Sequence, residues 1–378
     1  MAADIEVREV RGRGDLEAFV CFPWQVYRGD RNWVPPLIRE RLAYLTPAKN
    51  PLLRQAEAAL FLACCGRRVV GTIGILADQP SRQYPYERVA HFGFFEVVND
   101  YAVAERLLDR ARAWARERGM TLLRGPLNFT DSDCPGVLVE GADCPPVMLA
   151  AHTPPYYREF LERYGLEKEH DLYAWRAFRQ QIGEDLQAVP EQVKRAAQAA
   201  RQHGVTVRRV RLDRWPEEVE TARGLFNATL QHLPEFVPVS EADFRRSADG
   251  MRPIIDPDLA LFAELDGRVV GFCISLPDFN RVLIHLNGRL FPFGWVRLWW
   301  YMRRIEVLTF KLMGVLPDMR YRGIDALLFV ESLRAMMAKH YQWLDGSLTS
   351  EHNPMVNHLA ERLGAQRYKH YRIYRMAV

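Results

Sequence analysis

Long apolar runs are absent from this sequence of 378 residues. No stretch reaches about 18 consecutive apolar residues, the length that a membrane-spanning helix requires. The opening segment, MAADIEVREVRGRGDLEAF, has charges scattered through it and lacks the apolar centre of a secretory signal. These absences predict a cytoplasmic protein whose contact with a membrane would be peripheral.

Cysteine pairs with metal-binding or redox spacing are also absent. None of the cysteines forms a C-x-x-C pair. We therefore expect reduced structural thiols and no metal site. The cysteines are Cys21, Cys64, Cys65, Cys134, Cys144 and Cys273.

Blocks of like charge are missing as well. The net charge is only +4, from 51 basic and 47 acidic residues. A nucleic-acid partner would need a basic stripe, so we predict no such partner and expect any anion to be bound by a local site. Apolar residues make up 48% of the chain and charged residues 26%, a globular composition in a chain long enough for two domains.

The two halves of the chain repeat one another. Residues 58–75, AALFLACCGRRVVGTIGI, match residues 259–276, LALFAELDGRVVGFCISL, and each segment reads as two strands around a glycine turn. Residues 153–165 match residues 353–364, because both have a capping residue, an early proline and a terminal glycine. An amphipathic helix lies between hairpin and short helix in each half.

This repeat predicts an α/β fold of the α+β type, made of two tandem domains that are each a mixed twisted sheet flanked by helices. We place the N-terminal domain at residues 1–182 and the C-terminal domain at residues 183–378. A chance likeness between two α/β domains is the alternative, but the order, the spacing and the caps all agree.

The sharpest local motif is KLMGVLPDMRYRGIDALL, residues 311–328. A buried type of strand runs into a turn with Arg320, Arg322 and Gly323, and a helix follows at once. N–H groups at a helix N-terminus bind anions such as phosphate, and the arginines add positive charge. Gly323 would let a ligand approach the backbone closely. The pattern therefore predicts a pyrophosphate site.

This motif resembles the phosphate loop of the acyl-CoA N-acyltransferase (GNAT) superfamily, Arg/Gln-x-x-Gly-x-Gly/Ala after a strand with V-x-P. The matching residues are Val315, Pro317, Arg320, Gly323 and Asp325. The resemblance extends to the second hairpin and to residues 353–364, and the whole chain is similar to long bacterial GNAT-like proteins with two such domains. Asp325 departs from the superfamily pattern, since a carboxylate caps a helix well but repels phosphate.

The resemblance implies an enzyme that takes acyl-CoA as its donor and transfers the acyl group to an amine. Backbone groups of residues 313–315 would contact the thioester, and the loop would contact the pyrophosphate. The acyl-CoA-binding residues predicted in this way are Met313, Gly314, Val315, Arg320, Arg322, Gly323, Ile324, Asp325 and Ala326. The matching turn of the N-terminal half, residues 96–104, has neither glycine nor arginine, so we expect one acyl-CoA site per chain.

Acyl transfer to an amine needs a base for the ammonium, donors for the oxyanion and an acid for the thiolate. The superfamily's tyrosine acid corresponds to Ala360 here, so that assignment fails. We predict instead that Glu351 and His352 accept the amine proton and that Asn353 holds the pantetheine or the thiolate. The alternative is that Asn353 is only a helix cap and the other two are exposed loop residues. No cysteine lies near the loop, which favours direct attack on the thioester.

The most aromatic segment, GRLFPFGWVRLWWYMRRI at residues 288–305, interrupts the repeat. A helix there would carry Trp295, Trp299 and Trp300 beside arginines, a composition that suits a lipid–water interface. We therefore predict peripheral membrane contact, and a long-chain acyl group or a lipid amine, such as a sphingoid-like amine, as substrate. The alternative is that the tryptophans pack on the neighbouring domain.

Two further functions stay open. Some tandem GNAT-like enzymes are aminoacyl-tRNA-dependent transferases, although this chain lacks the basic block that tRNA binding requires. A non-enzymatic ligand-binding module is the other, since Asp325 and the missing tyrosine also suit a decayed site. An acyl carrier protein could replace CoA as the donor. The sequence leaves the acceptor amine, the acyl length and the oligomeric state open.

Overall fold

The computed structural model describes residues 5–77, 84, 86–130, 133–231, 238–291 and 294–378. Its strands are β1 (Ile5–Glu9), β2 (Ala58–Cys65), β3 (Arg68–Ala77), β4 (Val89–Val97), β5 (Leu122–Gly125), β6 (Val137–Glu140), β7 (Glu167–Phe178), β8 (Thr206–Arg209), β9 (Ala260–Leu265), β10 (Arg268–Pro277), β11 (Val307–Val315), β12 (Trp343–Ser350) and β13 (Gln366–Ala377). Its helices are α1 (Gly12–Cys21), α2 (Pro23–Val26), α3 (Ile38–Tyr44), α4 (Pro51–Gln55), α5 (Tyr101–Glu117), α6 (Tyr156–Tyr164), α7 (Arg179–Ile182), α8 (Glu191–Gln202), α9 (Trp215–Leu230), α10 (Glu241–Met251), α11 (Asn280–Leu283), α12 (Gly294–Met302), α13 (Ile324–Met337) and α14 (Pro354–Arg362).

The described strands form one continuous mixed sheet. Its order is β1-β2-β3-β4-β5-β13-β7-β12-β11-β10-β9-β8, and β6 pairs with β13 outside this path. The pairs β4–β5 and β11–β12 are parallel, and each is joined by a crossover helix, α5 in the N-terminal half and α13 in the C-terminal half. The predicted fold of tandem mixed α/β sheets flanked by helices is confirmed.

The last strands of the two halves are exchanged. β7 belongs to the N-terminal half of the chain but lies between β13 and β12, and β13 lies between β5 and β7. The two exchanged strands pair in antiparallel register, from Gln366 opposite Arg176 to Arg375 opposite Glu167. A sequence repeat does not reveal such an exchange, because each copy keeps its full set of strand patterns. The boundary between residues 182 and 183 coincides with the end of α7 and stays a prediction.

The helices predicted from caps and apolar stripes are present, but the predicted capping of α6 by Thr153 is wrong, because α6 begins at Tyr156 without a side-chain cap and Thr153 Oγ1 accepts from Leu138 N instead. Asp100 caps α5, and its carboxylate accepts a hydrogen bond from Ala102 N at 3.0 Å. Gly165 after α6 and Gly364 after α14 have φ angles of 100° and 73°, the left-handed conformation that glycine adopts at helix ends. The stripe of α5 is buried against the sheet and comprises Val103, Ala104, Leu107, Leu108, Ala111, Trp114 and Ala115.

The segment of residues 133–153 from the N-terminal half packs over the middle of the sheet. Lys369 Nζ of β13 donates to the carbonyl of Cys144 at 2.7 Å, and Asn280 Nδ2 of α11 donates to that of Pro146 at 3.1 Å. An apolar core shared by both halves lies beneath this segment and comprises Leu127, Leu138, Val147, Ala150, Ala151, Leu172, Ala174, Val307, Tyr371 and Ile373. The N-terminal half therefore encloses part of the C-terminal sheet.

Candidate active site

Strands β11 and β12 separate partway along their length. They pair in parallel only over residues 307–309 and 343–345. Beyond that point β11 continues to Val315 and β12 to Ser350 without pairing to each other. We call this gap the C-terminal fork. Its opening leaves one side of β11 without a neighbouring strand.

The antiparallel ladder between β10 and β11 decides which N–H groups face the fork. Leu316 N donates to Val270 O at 2.9 Å, so the N–H groups of Leu316 and Gly314 point towards β10. Those of Met313 and Val315 point the other way, into the fork. Among the residues predicted to contact a thioester, Met313 and Val315 thus have the orientation of a backbone donor, whereas Gly314 uses its N–H in the sheet.

Gly314 has a packing role of its own. A Cβ on this residue would lie 2.5 Å from the hydroxyl oxygen of Thr229 and 2.8 Å from the Phe272 ring. Thr229 is in the last turn of α9. Glycine at this position therefore lets α9 pack directly on β11 beside the fork.

The turn after β11 has the strand–turn–helix form that the motif predicts. A short 3-10 helix over Pro317–Met319 leads to Gly323, which stands at the N-cap of α13. No side chain among the described residues caps the first turn of α13, so its N–H groups remain available to an anion. In that turn Ile324 is buried, Asp325 is exposed and Ala326 is half-buried.

Gly323 serves helix packing rather than access for a ligand. It has a φ angle of 74°, and a Cβ on it would lie 2.3 Å from the carbonyl oxygen of Ala196 in α8. The space that a side chain would fill is taken by the α8 backbone. Close approach of a helix therefore accounts for glycine at this position, and contact of Gly323 with a ligand stays a prediction.

The two arginines of the turn have different surroundings. Arg320 donates from Nη2 to the carbonyl of Thr229 at 2.8 Å and ties the turn to the end of α9. Arg322 is exposed. Arg322 is therefore the arginine that presents its charge to solvent beside the N-terminus of α13, while Arg320 holds the turn in place.

The corresponding fork of the N-terminal half is filled by its own chain. β4 and β5 pair in parallel over residues 89–91 and 122–124. Leu127 N then donates to Phe92 O at 2.7 Å, and Phe94 N donates to Asn128 Oδ1 at 2.9 Å. A Cβ on Gly93 would lie 1.7 Å from Leu127 O. The backbone that would face a thioester is satisfied internally, which agrees with the expectation of one acyl-CoA site.

The residues predicted to act on the amine have structural partners. Asn353 caps α14, with its side-chain oxygen accepting from Val356 N at 3.3 Å. Glu351 accepts from Asp171 N and from Lys168 Nζ, each at 2.9 Å. Burial raises the pKa of the Glu351 carboxyl, but these hydrogen bonds lower it by more. The net result is a lowered pKa, which favours the ionised form.

His352 is exposed beside this pair of contacts. Its ring centroid lies 6.1 Å from that of His170. Both carboxylate oxygens of Glu351 are occupied by partners on β7, so the structure does not bring Glu351 and His352 together as a hydrogen-bonded base. A catalytic role for Glu351, His352 and Asn353 stays a prediction.

A buried polar cluster at the fork was missed by the sequence reasoning. Asp345, at the last paired position of β12, and Asp278, after β10, both have 0% exposure. Lys311 lies in β11 two residues beyond the last pair, and its Nζ donates to the carbonyl of Met148 at 2.8 Å. Lys311 is the one charged residue of β11, which was the available signal, but its partners are far away in the sequence.

The tryptophans of α12 lie on the surface. Trp295, Trp299 and Trp300 are 59%, 55% and 48% exposed. The opposite side of α12 carries the packing contacts, with the Tyr301 ring stacked on His285 at a centroid distance of 3.8 Å. The alternative that these tryptophans pack on the neighbouring domain is therefore wrong. Residues 292 and 293 of the aromatic segment lie outside the described residues.

Arginines accompany the exposed indoles. The Arg303 guanidinium lies 3.7 Å from the centre of the Trp299 ring, and that of Arg304 lies 3.9 Å from the Trp300 ring. In the described part of the chain, no helix is both long and apolar enough to cross a membrane.

Comparison with known sequences identifies relatives over the full length. No protein-family profile matches the chain. The chain is 34% identical over 374 residues to Protein YghO of Escherichia coli (strain K12), an alignment that covers 97% of this chain and 94% of that protein. It is 33% identical over 383 residues to the bacterial ceramide synthase of Caulobacter vibrioides (strain NA1000 / CB15N), covering 100% of this chain and 98% of the relative.

Solved structures share the fold at low identity. A tandem GNAT protein from the clavulanic acid biosynthesis pathway superposes with a TM-score of 0.57 at 13% identity, covering 99% of this chain and 98% of that chain. The GCN5-related glucosamine N-acetyltransferase region of a fungal multi-domain GH3 β-N-acetylglucosaminidase gives a TM-score of 0.59 at 14% identity, covering 100% of this chain and 38% of the other.

The tandem mixed sheets flanked by helices have the fold of tandem GNAT proteins. The chain belongs to one family with Protein YghO and the Caulobacter ceramide synthase.

Proposed function

We propose that this enzyme transfers a long-chain acyl group from acyl-CoA to an amphipathic amine at a membrane surface. The observation that carries the proposal is the open C-terminal fork, followed directly by the uncapped N-terminus of α13. A thioester needs a backbone donor and a pyrophosphate needs a positive helix end, and these two features stand one after the other in the chain.

The donor would be held by the strand and the turn together. The N–H groups of Met313 and Val315 would face the thioester oxygen, and the first turn of α13 would bind the pyrophosphate with help from Arg322. Asp325 is exposed in that turn and opposes phosphate. The pyrophosphate would therefore lie on the Arg322 side of the turn.

The acceptor is proposed from α12 and from one relative. The exposed indoles and the arginines beside them suit the boundary between lipid headgroups and acyl chains, where such amphipathic helices bind. The full-length relative from Caulobacter is called a ceramide synthase, and a ceramide is the N-acyl derivative of a long-chain amine. We therefore propose a sphingoid-type amine, delivered from the membrane surface.

Glu351, His352 and Asn353 follow the end of β12, as the phosphate loop follows the end of β11. Because β11 and β12 are parallel, their C-terminal ends lie at the same edge of the sheet. Asn353 and His352 are exposed there. We propose that they contact the pantetheine or the amine at the mouth of the fork, with Glu351 holding that loop against β7.

Titration calorimetry with acetyl-CoA and palmitoyl-CoA tests the donor site. Arg322→Ala should weaken binding by about 10-fold or more, because a charge-assisted contact to phosphate contributes roughly 1.5 to 3 kcal/mol. Arg334→Ala is the matched control, since Arg334 is also exposed but lies near the other end of α13. Equal affinities for the wild type and Arg322→Ala would rule out the proposed pyrophosphate site.

Vesicle sedimentation tests the membrane contact. Replacement of Trp295, Trp299 and Trp300 by serine should abolish binding to vesicles of phosphatidylglycerol and phosphatidylcholine, because it removes the apolar area that α12 presents. Tyr86→Ser is the control, since Tyr86 is 97% exposed but belongs to the segment before β4. Unchanged sedimentation of the triple variant would show that α12 does not bind lipid.

A further inference from the structure

Lys311 has an irregular position in the sheet. The register between β10 and β11 shifts from Ile274 opposite Leu312 to Ser275 opposite Phe310, which leaves Lys311 as the extra residue of a bulge. Bulges turn a side chain out of the regular alternation and are common beside active sites. The ammonium of Lys311 thereby reaches the segment of residues 133–153, which covers the sheet, and donates to the carbonyl of Met148 at 2.8 Å.

Two buried carboxyl groups accompany this lysine. Asp345 accepts from Ser347 Oγ at 2.6 Å and from Tyr368 OH at 2.8 Å. Asp278 accepts from Met148 N at 2.9 Å and forms an ion pair with Arg281 at 2.8 Å. Asp278 and Lys311 both bind the main chain of Met148, and Asp345 stands opposite Thr309, two residues before Lys311 on β11.

Such a cluster is difficult to explain by stability. Buried ionisable groups lose hydration, and replacing a buried ion pair with apolar residues is often neutral or stabilising. The matching fork of the N-terminal half is closed by main-chain contacts instead. Titratable groups gathered where the backbone is open to a ligand are typical of an active site.

We propose that Lys311 is the acid–base residue of the acyl transfer, with Asp345 and Asp278 as neighbouring carboxyl groups that act on it through their charge. This inference rests on the proposed function. It places proton transfer inside the fork, next to the N–H groups of Met313 and Val315 that would stabilise the oxyanion, and not at the loop of residues 351–353.

The protons balance over one turnover. The neutral amine of Lys311 takes one proton from the substrate ammonium, and the freed nitrogen attacks the thioester carbonyl to form the C–N bond. The tetrahedral intermediate loses a second proton to water and then breaks its C–S bond. The Lys311 ammonium gives its proton to the departing thiolate, so the ammonium and the thioester become an amide, a thiol and one released proton.

The electrostatic surroundings suit a lysine that changes its protonation state. Burial lowers the pKa of Lys311 below its usual range, and the negative charges of Asp345 and Asp278 oppose that shift. Cys134 of the N-terminal half also faces Lys311, and Arg281 faces Asp278. Because the neutral amine is the base, the rate of acylation should rise with pH through the pKa of Lys311.

Lys311→Arg is the decisive variant. Arginine keeps the positive charge and the donor to Met148, but it cannot release its proton in the working range. Turnover of sphinganine with palmitoyl-CoA should fall by at least about 100-fold, and the rise of rate with pH should disappear. Affinity for palmitoyl-CoA, measured by calorimetry, should be retained. Near-wild-type turnover with an unchanged pH profile would overturn the proposal.

Lys369→Arg is the matched control. Like the half-buried Lys311, the buried Lys369 binds a carbonyl of the N-terminal half through Nζ and has a pKa lowered by burial, but it lies on β13. The Lys369→Arg variant should leave the pH profile unchanged when its activity is corrected for the folded fraction, which circular dichroism measures.

Asp345→Asn should move the rising limb of the pH profile to lower pH, since it removes a charge that favours the Lys311 ammonium. If Asp345 had only a structural role, the variant would lower the rate without moving the rising limb.

A measurement without substrate separates this proposal from the proposed function. The chain has six lysines, so the signals of ¹³C-methylated lysines can be assigned one by one with Lys→Arg variants. The Lys311 signal should titrate below the ordinary lysine range. If wild type acylates no amine yet Lys311 titrates low, the proposed function fails; if wild type is active and Lys311 titrates at an ordinary value, the acid–base role fails.

Discussion

At the scale of single residues, Glu96 at the end of β4 shows how burial sets protonation. The Tyr157 hydroxyl donates to Glu96 Oε2 at 2.7 Å and accepts from Val97 N at 2.8 Å. Burial raises the pKa of the Glu96 carboxyl from its ordinary value of 4.5 to about 7, although hydrogen bonds from Tyr157 and Tyr27 act in the other direction. The folded protein therefore binds a proton that the unfolded chain has already released at pH 6.

Glu96→Gln should stabilise the protein in a pH-dependent way. Because the folded pKa exceeds the unfolded one, wild-type stability falls as pH rises from about 4.5 to about 7. The glutamine variant lacks this loss, so its advantage should be near zero at pH 4.5 and at most about 3 kcal/mol at pH 8. Urea unfolding at both pH values measures the difference.

Glu306→Gln is the control for that comparison, since Glu306 is an exposed carboxyl just before β11. An equal effect of Glu96→Gln at pH 4.5 and pH 8 would contradict the assignment of a raised pKa. A larger advantage at the lower pH would mean that folding lowers the pKa of Glu96 instead of raising it.

At the scale of elements, two glycines at helix ends separate backbone conformation from packing. Gly323 before α13 and Gly364 after α14 have φ angles of 74° and 73°. A Cβ on Gly364 meets nothing within 4 Å, whereas one on Gly323 would lie 2.3 Å from Ala196 O. The same substitution therefore carries strain alone at one site, and strain plus a clash with α8 at the other.

Gly323→Ala should be clearly more destabilising than Gly364→Ala. The φ strain alone corresponds to about 1 kcal/mol, and displacement of α8 from α13 should add roughly 1 to 3 kcal/mol. Thermal unfolding of both variants gives the comparison. Gly323→Ala should also weaken acyl-CoA binding, because the first turn of α13 would shift. Equal losses of stability would mean that α8 adjusts freely.

At the scale of the whole molecule, strand exchange makes the two halves depend on each other. β13 of the C-terminal half pairs with two strands of the N-terminal half, β5 on one side and β7 on the other. Tyr371 and Ile373 of β13 are 0% and 1% exposed. Removing either half therefore exposes a sheet edge and opens a core that both halves share.

Residues 1–182 and 183–378, expressed separately, should each fail to unfold cooperatively, whereas the full chain should show one transition. Circular dichroism and tryptophan fluorescence should report coincident midpoints for the full chain. Mixing the two fragments should restore the transition, because the exchanged strands can then pair. A cooperative transition of residues 1–182 alone, at the midpoint of the full chain, would show that exchange adds no mutual dependence.

Local patterns in the sequence were enough for the helices and for the turn that follows β11. The stripe of α5, the cap at Asp100 and the glycine ends of α6 and α14 depend on residues a few positions apart. The same is true of the strand–turn–helix order around Gly323. The superfamily was recognisable because its motif lies within one short segment.

The sequence by itself therefore determined the class of fold, the internal repeat and the strand–turn–helix order around Gly323. Only the tertiary structure decided the exchange of β7 and β13, the closing of the N-terminal fork, the exposure of α12 and the cluster around Lys311. These features depend on contacts between distant residues, such as Lys311 and Met148, which are 163 positions apart. Periodicity and caps report short-range interactions, whereas burial of a charge is decided by what the rest of the chain places around it.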